Sequence, residues 1–204
     1  MYKFAHYTEQ DPGKVIAFMK EHPFVIITGA GVNYPVATHV PLEIVVGDDN
    51  KIILKGHMMK KTDHHLAFEK NNNVLVIFTG AHAFVSASWY TDPAVGSTWD
   101  YMTVHAKGKI RFTDEEGTYH AVKGTSDTFQ GKGTNASFDH LPKEYIQQMV
   151  KAIVGFTIEV ETLDNVFKLS QNRDTASQIS IIQELKKRGD DNSRIIAEEM
   201  EKRL

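Results

Sequence analysis

A chain of 204 residues is long enough to bury one sizeable core and to carry appendages. Its 41% hydrophobic and 24% charged content are ordinary for a globular protein, and a net charge of -3 gives no global attraction to nucleic acid or to an anionic membrane. The lack of cysteine excludes disulfides, thiolate metal sites, iron–sulfur clusters and a cysteine nucleophile.

The opening stretch, Met1 to Lys14, has no apolar signal core, and no apolar run approaches membrane-spanning length. A cytoplasmic protein with no membrane partner is therefore expected. Asp11-Pro12 opens a helix, because Asp caps and Pro suits the first helical position. Val15, Ile16 and Met19 give that helix an apolar stripe, which ends near His22-Pro23. Strands follow at 24–28 and 36–46, separated by Gly29-Ala30-Gly31; Pro41 marks an edge, a bulge or a strand start. Gly47-Asp48-Asp49-Asn50 is a hairpin turn, and 51–56 pairs back. Thr62 or Asp63 then caps a helix whose stripe begins with Leu66, Ala67 and Phe68 and stops at Asn71-Asn72-Asn73.

The rest of the chain reads as arranged around Val74 to Phe112. Residues 74–78 read as a buried strand closed by Thr79-Gly80. Residues 83–90 read as a second, with Phe84, Ser86 and Ser88 on one face and Val85, Ala87 and Trp89 on the other. A turn-rich loop from Thr91-Asp92-Pro93 to Gly96-Ser97 leads to a third. There Met102, Val104, Ala106, Ile110 and Phe112 share a face, and Tyr101, Thr103, His105 and Lys107 share the other. Trp89 and Trp99 flank the loop. A packed barrel end and a pocket for a flat ligand both remain open readings.

Residues 114–124 suggest a partly helical excursion, and 130–138, without periodicity, a mobile loop. Pro142 opens a helix with Ile146, Met149, Val150 and Ile153 at helical spacing, ended by Gly155. Phe156, Ile158 and Val160 then alternate with Thr157, Glu159 and Glu161 in a half-exposed strand that closes the sheet. The tail is a helix pair. Ile181, Ile182 and Leu185 mark the first helix, Lys186-Lys187-Arg188-Gly189 its end, and Asp190 to Asn192 the next cap; Ile196, Met200 and Leu204 form the second stripe.

The segments SASWY, STWDYMTVHAKG, LKGHMMKK, AIVGFTIEVE and KLSQNRD together resemble the PaiB family of FMN-binding split-barrel proteins, often labelled negative transcriptional regulators of protease synthesis and sporulation. The resemblance covers nearly the whole chain, and KLSQNR is its most specific piece. It implies a mainly β (α+β) fold: a six-stranded antiparallel split β-barrel with peripheral helices, FMN as cofactor, and a homodimer with flavin sites between subunits. We expect a split-barrel domain at 1–174 and a C-terminal helical extension at 175–204.

Gly56-His57-Met58-Met59-Lys60-Lys61-Thr62-Asp63 joins a strand to a helix N-terminus, where free N–H groups and the dipole favour an anion. A solvated lysine pair is the plain alternative. By resemblance this strand end holds the FMN phosphate through Gly56, His57, Lys60 and Lys61. Lys60 replaces the family's arginine, and a lysine is a point charge without the bidentate fork. Thr62 and Asp63 stand where the family has Asn-Pro. His57 reads equally as a phosphate-end ligand and as a structural residue. The resemblance also implies that Thr38, His39, Leu54 and Trp99 lie along the flavin and that Lys168 and Gln171 reach it across the dimer interface. Asp100 replaces a neutral amide and would put a negative charge near the ring system.

No residue reads as an obligate catalytic acid or base. His57, His64, His65, His82 and His105 lack the spacing of a metal site. Ser86 and Ser88 lack a nucleophile-elbow context. The last helix sets Arg194, Lys202 and Arg203 against Glu198, Glu199 and Glu201, which gives no footprint for DNA phosphate. Three functional readings stand in order: an FMN flavoprotein with a redox or regulatory role, a non-enzymatic transcriptional regulator or ligand sensor built on the same barrel, and a haem-binding or haem-degrading relative.

Overall fold

The computed structural model describes every residue except Lys3 and Pro93, so the turn expected at Pro93 lies outside the described residues. Its helices are α1 (Pro12–Glu21), α2 (Asp63–Lys70), α3 (Glu115–Phe129), α4 (Lys143–Ala152), α5 (Thr175–Arg188) and α6 (Asp191–Glu201). Its strands are β1 (Phe24–Gly29), β2 (Val36–Pro41), β3 (Glu43–Val46), β4 (Ile52–Met59), β5 (Asn73–Val85), β6 (Thr98–Phe112) and β7 (Ile153–Lys168). They form one seven-stranded sheet in the order β2-β1-β5-β6-β7-β4-β3. The β1–β2, β1–β5, β3–β4 and β4–β7 pairs are antiparallel.

The chain divides into two compact units. Met19–Phe78 with His105–Leu163 makes the first, and Met1–Phe18, Thr79–Val104 and Asp164–Leu204 make the second. The first holds the barrel closure. β2 and β3 lie at opposite ends of the strand order, yet only Leu42 separates them in sequence. The sheet must therefore curl until its first and last strands meet. Pro41 ends the β2 ladder because it has no N–H to give. Leu42 turns the corner, fully buried, its own N–H on the Pro23 carbonyl at 2.9 Å. The strand expected across 36–46 is thus two strands, while 74–78 and the start of 83–90 join in β5, so the sheet has seven strands where a six-stranded barrel was expected.

Gly56 sits inside this corner. A Cβ there would lie 2.7 Å from Leu42 Cδ2, 2.9 Å from Phe156 Cζ and 3.2 Å from the Pro41 carbonyl oxygen. Beside the barrel, Val122 of α3, Phe138 and Ile153 form a buried cluster, with Tyr119, Leu141, Ile146 and Met149 against it. The excursion expected at 114–124 is the full helix α3, capped by the Asp114 carboxylate on the Gly117 N–H at 2.8 Å. The loop expected at 130–138 is anchored at its end by the buried Phe138.

Other boundaries move for identifiable reasons. Gly155 lies within β7 rather than ending α4, which stops at Ala152. A Cβ at Gly155 would meet Thr113 Oγ1 at 2.7 Å and the Thr118 Cα at 2.9 Å, so the glycine answers to close packing, not to a helix end. Thr79-Gly80 does not break the strand: β5 runs through it. Its buried positions change from Val74, Val76 and Phe78 to Ala81, Ala83 and Val85, as one extra residue in a strand requires. The strand expected at 83–90 ends at Val85 and gives way to a 3-10 turn at Ala87–Trp89. On α2 the buried positions are His65 and Phe68, whereas Leu66 is exposed.

In the second unit α5 and α6 form a helix hairpin. Ile181, Ile182 and Leu185 pack with Ile196, Ala197 and Met200 in its buried interior, while Leu204 is exposed and lies outside the stripe expected of it. Asp174 and Asp190 cap the two helices through the N–H groups of Ser177 and Ser193, each at 2.9 Å. Gly189 ends α5 at φ +78°, a conformation that suits glycine.

Candidate functional site

In the first unit, β4 carries Leu54, Gly56 and His57 toward the basic turn before α2. The β alternation decides what each offers. Leu54 is completely buried, opposite Ile44 and Ile158, so its side chain belongs to the core. His57, opposite Gly155, is on the other face and half-buried. Its Nδ1 is buried without a hydrogen-bond partner, and burial pulls the imidazole below its ordinary range.

Lys60 and Lys61 follow. The Lys60 N–H donates to the Ala152 carbonyl at 3.0 Å and its ammonium to the Val150 carbonyl at 3.3 Å, so this lysine closes the C-terminal end of α4. Lys61 adopts φ +63° and is exposed, with its N–H toward His65 Nδ1 at 3.4 Å. Thr62 caps α2, its hydroxyl oxygen accepting the His65 N–H at 3.4 Å and its hydroxyl meeting the Met59 carbonyl at 3.1 Å. On β2, Thr38 pairs with Ile27 and His39 with Ile26. Their side chains take opposite faces, with Thr38 half-buried and His39 exposed beside the Phe24 ring.

The second unit holds Trp99, Lys168 and Gln171. The Trp99 ring is 54% exposed, with His82 at 5.6 Å and Phe84 at 6.0 Å between ring centroids. These three make an outward aromatic group on β5 and β6. The Lys168 ammonium donates to the Thr98 hydroxyl and the Trp99 carbonyl, and lies 3.7 Å from Asp100 Oδ1. Gln171 staples its own turn. Its Oε1 accepts the Leu169 N–H at 2.7 Å and its Nε2 donates to the Phe167 carbonyl at 2.5 Å.

Asp100 reaches that turn from β6: it is wholly buried, in step with Met102 and Val104 on the inner face of the strand. Its Oδ2 accepts the Ser170 hydroxyl at 2.6 Å, and its Oδ1 has no hydrogen bond. Ser170 takes φ +58° to make that contact. Burial pushes the Asp100 carboxyl up to about 6, against the opposing pull of Ser170, Lys168 and Arg173. Burial lowers Lys168, while Asp100 draws it back up. Tyr7 and Tyr90 are raised, first by burial and with Asp100 adding to it. The Arg173 guanidinium lies over the Tyr90 ring at 4.4 Å, and Lys168 approaches the Tyr7 ring at 5.9 Å. The signal was present in the sequence, because Asp100 shares the parity of the apolar face of β6.

Residues 1–162 match the family described as "Putative FMN-binding domain". The chain belongs to this FMN-binding family. It is 32% identical over 188 residues to "Protease synthase and sporulation protein PAI 2" of Bacillus subtilis (strain 168), covering 92% of this chain and 90% of that protein. It is 26% identical over 238 residues to an uncharacterized protein, AN0679, of Emericella nidulans, covering 97% and 95%. The fold is similar to the FAD and heme binding protein from Mycobacterium smegmatis, with a TM-score of 0.62, 12% identity and coverage of 85% of this chain and 79% of that one. It is also similar to the flavocytochrome Anf3 from Azotobacter vinelandii, with a TM-score of 0.63, 11% identity and coverage of 82% and 72%. The family's cofactor is FMN, and the split barrel expected from the sequence is the fold observed.

The residues of the first unit are compatible with this group. Among the described residues the His57 Nδ1 is buried without a hydrogen-bond partner, and the exposed Lys61 precedes the N-terminus of α2. A lysine ammonium and helix N–H groups are donors of the kind a phosphate accepts. Among the described residues no cluster of three or more His, Asp or Glu side chains could hold a metal ion, and no helix is long and apolar enough to cross a membrane.

Proposed function

We propose that the FMN phosphate is held at the end of β4 by Gly56, His57, Lys60 and Lys61, and that the protein uses the bound flavin in a redox or regulatory role. The observation that carries this reading is the orphaned His57 Nδ1 near the end of β4, three residues before the basic Lys60-Lys61 turn. Gly56 contributes backbone only, kept bare by the barrel corner. Thr38, His39, Leu54 and Trp99 are assigned to the flavin side, the buried Leu54 through its backbone, and Lys168 and Gln171 to the turn that closes the site. Bound FMN supplies hydride or single-electron chemistry, and the protein side chains bind and orient it.

The split-barrel part is placed at 1–174, with 175–204 as a helical extension; the family match ending at residue 162 supports this. A homodimer in the cytoplasm is the proposed state. Exposed Val32, Tyr34 and Leu66 around a groove of about 620 Å³ support a covered face. Direct DNA contact by the tail is not part of the proposal. Arg194 pairs with Asp191 and Glu198, Lys202 with Glu199, and Arg203 with Glu199 and Glu9.

The test is an FMN titration followed by flavin fluorescence, with Lys61→Ala as the variant because Lys61 has no part in closing α4. Loss of one charge-assisted contact should weaken binding roughly tenfold or more. Unchanged affinity would remove the phosphate assignment. A flavin that binds but accepts electrons from no reductant would favour the regulatory role over turnover.

A further inference from the structure

We propose that Asp100 is a positioning residue whose charge holds the Lys168 ammonium inward on Thr98 and the Trp99 carbonyl, so that protonating Asp100 loosens the Trp99 end of β6. The inference deepens the reading above, in which Trp99 and Lys168 face the flavin, but its main test does not depend on flavin. Among the described residues the Lys168 ammonium donates to two neutral oxygens, the Thr98 hydroxyl and the Trp99 carbonyl. An ammonium with a side chain 13% exposed needs a counter-charge, and Asp100 Oδ1 at 3.7 Å supplies it. That oxygen has no hydrogen bond of its own, so its tie to Lys168 is chiefly one of charge. The other carboxylate oxygen is fixed by Ser170 at 2.6 Å, which keeps Oδ1 turned toward the lysine.

The charged and titratable groups that act on Asp100 are Lys168 at the end of β7, Arg173 in the turn that follows, Tyr7 near the N-terminus and Tyr90 after the 3-10 turn, with the Ser170 hydroxyl on its other oxygen. Of these, none exchanges a proton between pH 5 and 8 in its ordinary form. Asp100, pushed up to about 6, does so. Once neutral, it leaves the Lys168 ammonium half-buried without a counter-charge. The favourable response is for Lys168 to leave Thr98 and the Trp99 carbonyl for water.

Trp99 is the reporter. A Trp89→Phe background leaves it as the single tryptophan, and His82→Gln removes the titratable ring beside it. In that double variant without flavin, tryptophan emission should pass through one transition near pH 6, and adding Asp100→Asn should abolish it. A transition that survives Asp100→Asn unchanged would overturn the proposal. Should Asp100→Asn fail to fold, Lys168→Met decides. With no ammonium left to release from Thr98 and the Trp99 carbonyl, the transition should vanish, and one that persists at the same midpoint overturns the proposal. With FMN, affinity should fall from pH 7.5 to pH 5.5 more steeply in wild type than in Asp100→Asn, the ligand's own phosphate titration being common to both. Equal slopes would overturn the extension to flavin. Failure of both proteins to bind FMN would count against the reading of the previous section, and the emission arm would still decide the role of Asp100.

Discussion

Replacing Asp100 by Asn should flatten the pH dependence of stability, and the size of the effect follows from burial. The Asp100 carboxyl rises from 3.8 to about 6 in the folded chain. A raised acid binds its proton more tightly folded than unfolded. Its stabilising contribution is therefore full below the unfolded value and is lost as pH rises through the folded one. The loss amounts to about 3 kcal/mol in all, taking about 1.4 kcal/mol for each unit. Between pH 5 and pH 7.5 the linkage relation assigns about half of it. Urea unfolding of wild type should thus show stability falling by about that much more than Asp100→Asn over this interval. The absolute stability of the variant at one pH is a poorer guide, since the new amide must find a partner of its own beside Lys168. Parallel pH profiles for the two proteins would refute the reasoning.

Two further substitutions test the fold that positions the site. Gly56→Ala places a Cβ 2.7 Å from Leu42 Cδ2 and 2.9 Å from Phe156 Cζ at the barrel corner, so it should lower stability by roughly 1–3 kcal/mol, read as a shift of the urea midpoint. An unchanged midpoint would mean that the corner yields more readily than its contacts indicate. Gly189→Ala forces a side chain onto φ +78° at the end of α5. It should cost about 1 kcal/mol in thermal or urea unfolding, and a neutral result would show that the helix hairpin does not depend on that left-handed cap.

What the sequence made legible was whatever rests on local chemistry. The Asp11-Pro12 start of α1, the Thr62 cap of α2 and the Gly189 end of α5 each need only neighbouring residues, and each stands where expected. The inner face of β6 was legible too, since Met102, Val104, Ala106 and Ile110 alternate without interruption. Features decided by distant contacts were not. The split at Leu42 follows from curling the whole sheet until β2 and β3 meet, and Pro41 alone left an edge, a bulge or a strand start open. Gly155 looked like a helix end because its real constraint, Thr113 and Thr118 against its α-carbon, lies about forty residues away in the chain. Asp100 is the mixed case: its parity with Met102 assigns it to the inner face of β6, where it lies, while its partners Ser170 and Lys168 stand about seventy residues away in the chain.

The basic turn raises one last question, because Lys60 serves two claims. Its ammonium already meets the Val150 carbonyl at 3.3 Å, close to the end of α4. A phosphate competes for the same charge, and a charge-assisted contact outranks one to a neutral carbonyl. If FMN takes Lys60, the last turn of α4 keeps the Lys60 N–H on Ala152 and loses the ammonium. A favourable cation near a helix C-terminus is typically worth about 0.3–1 kcal/mol. Amide hydrogen exchange in the last turn of α4 should then quicken by roughly two- to fivefold on adding FMN, and Lys60→Ala should exchange at the faster rate with or without it. Exchange that FMN leaves untouched in wild type would assign Lys60 to α4 alone and leave the phosphate to His57, Lys61 and the helix N-terminus.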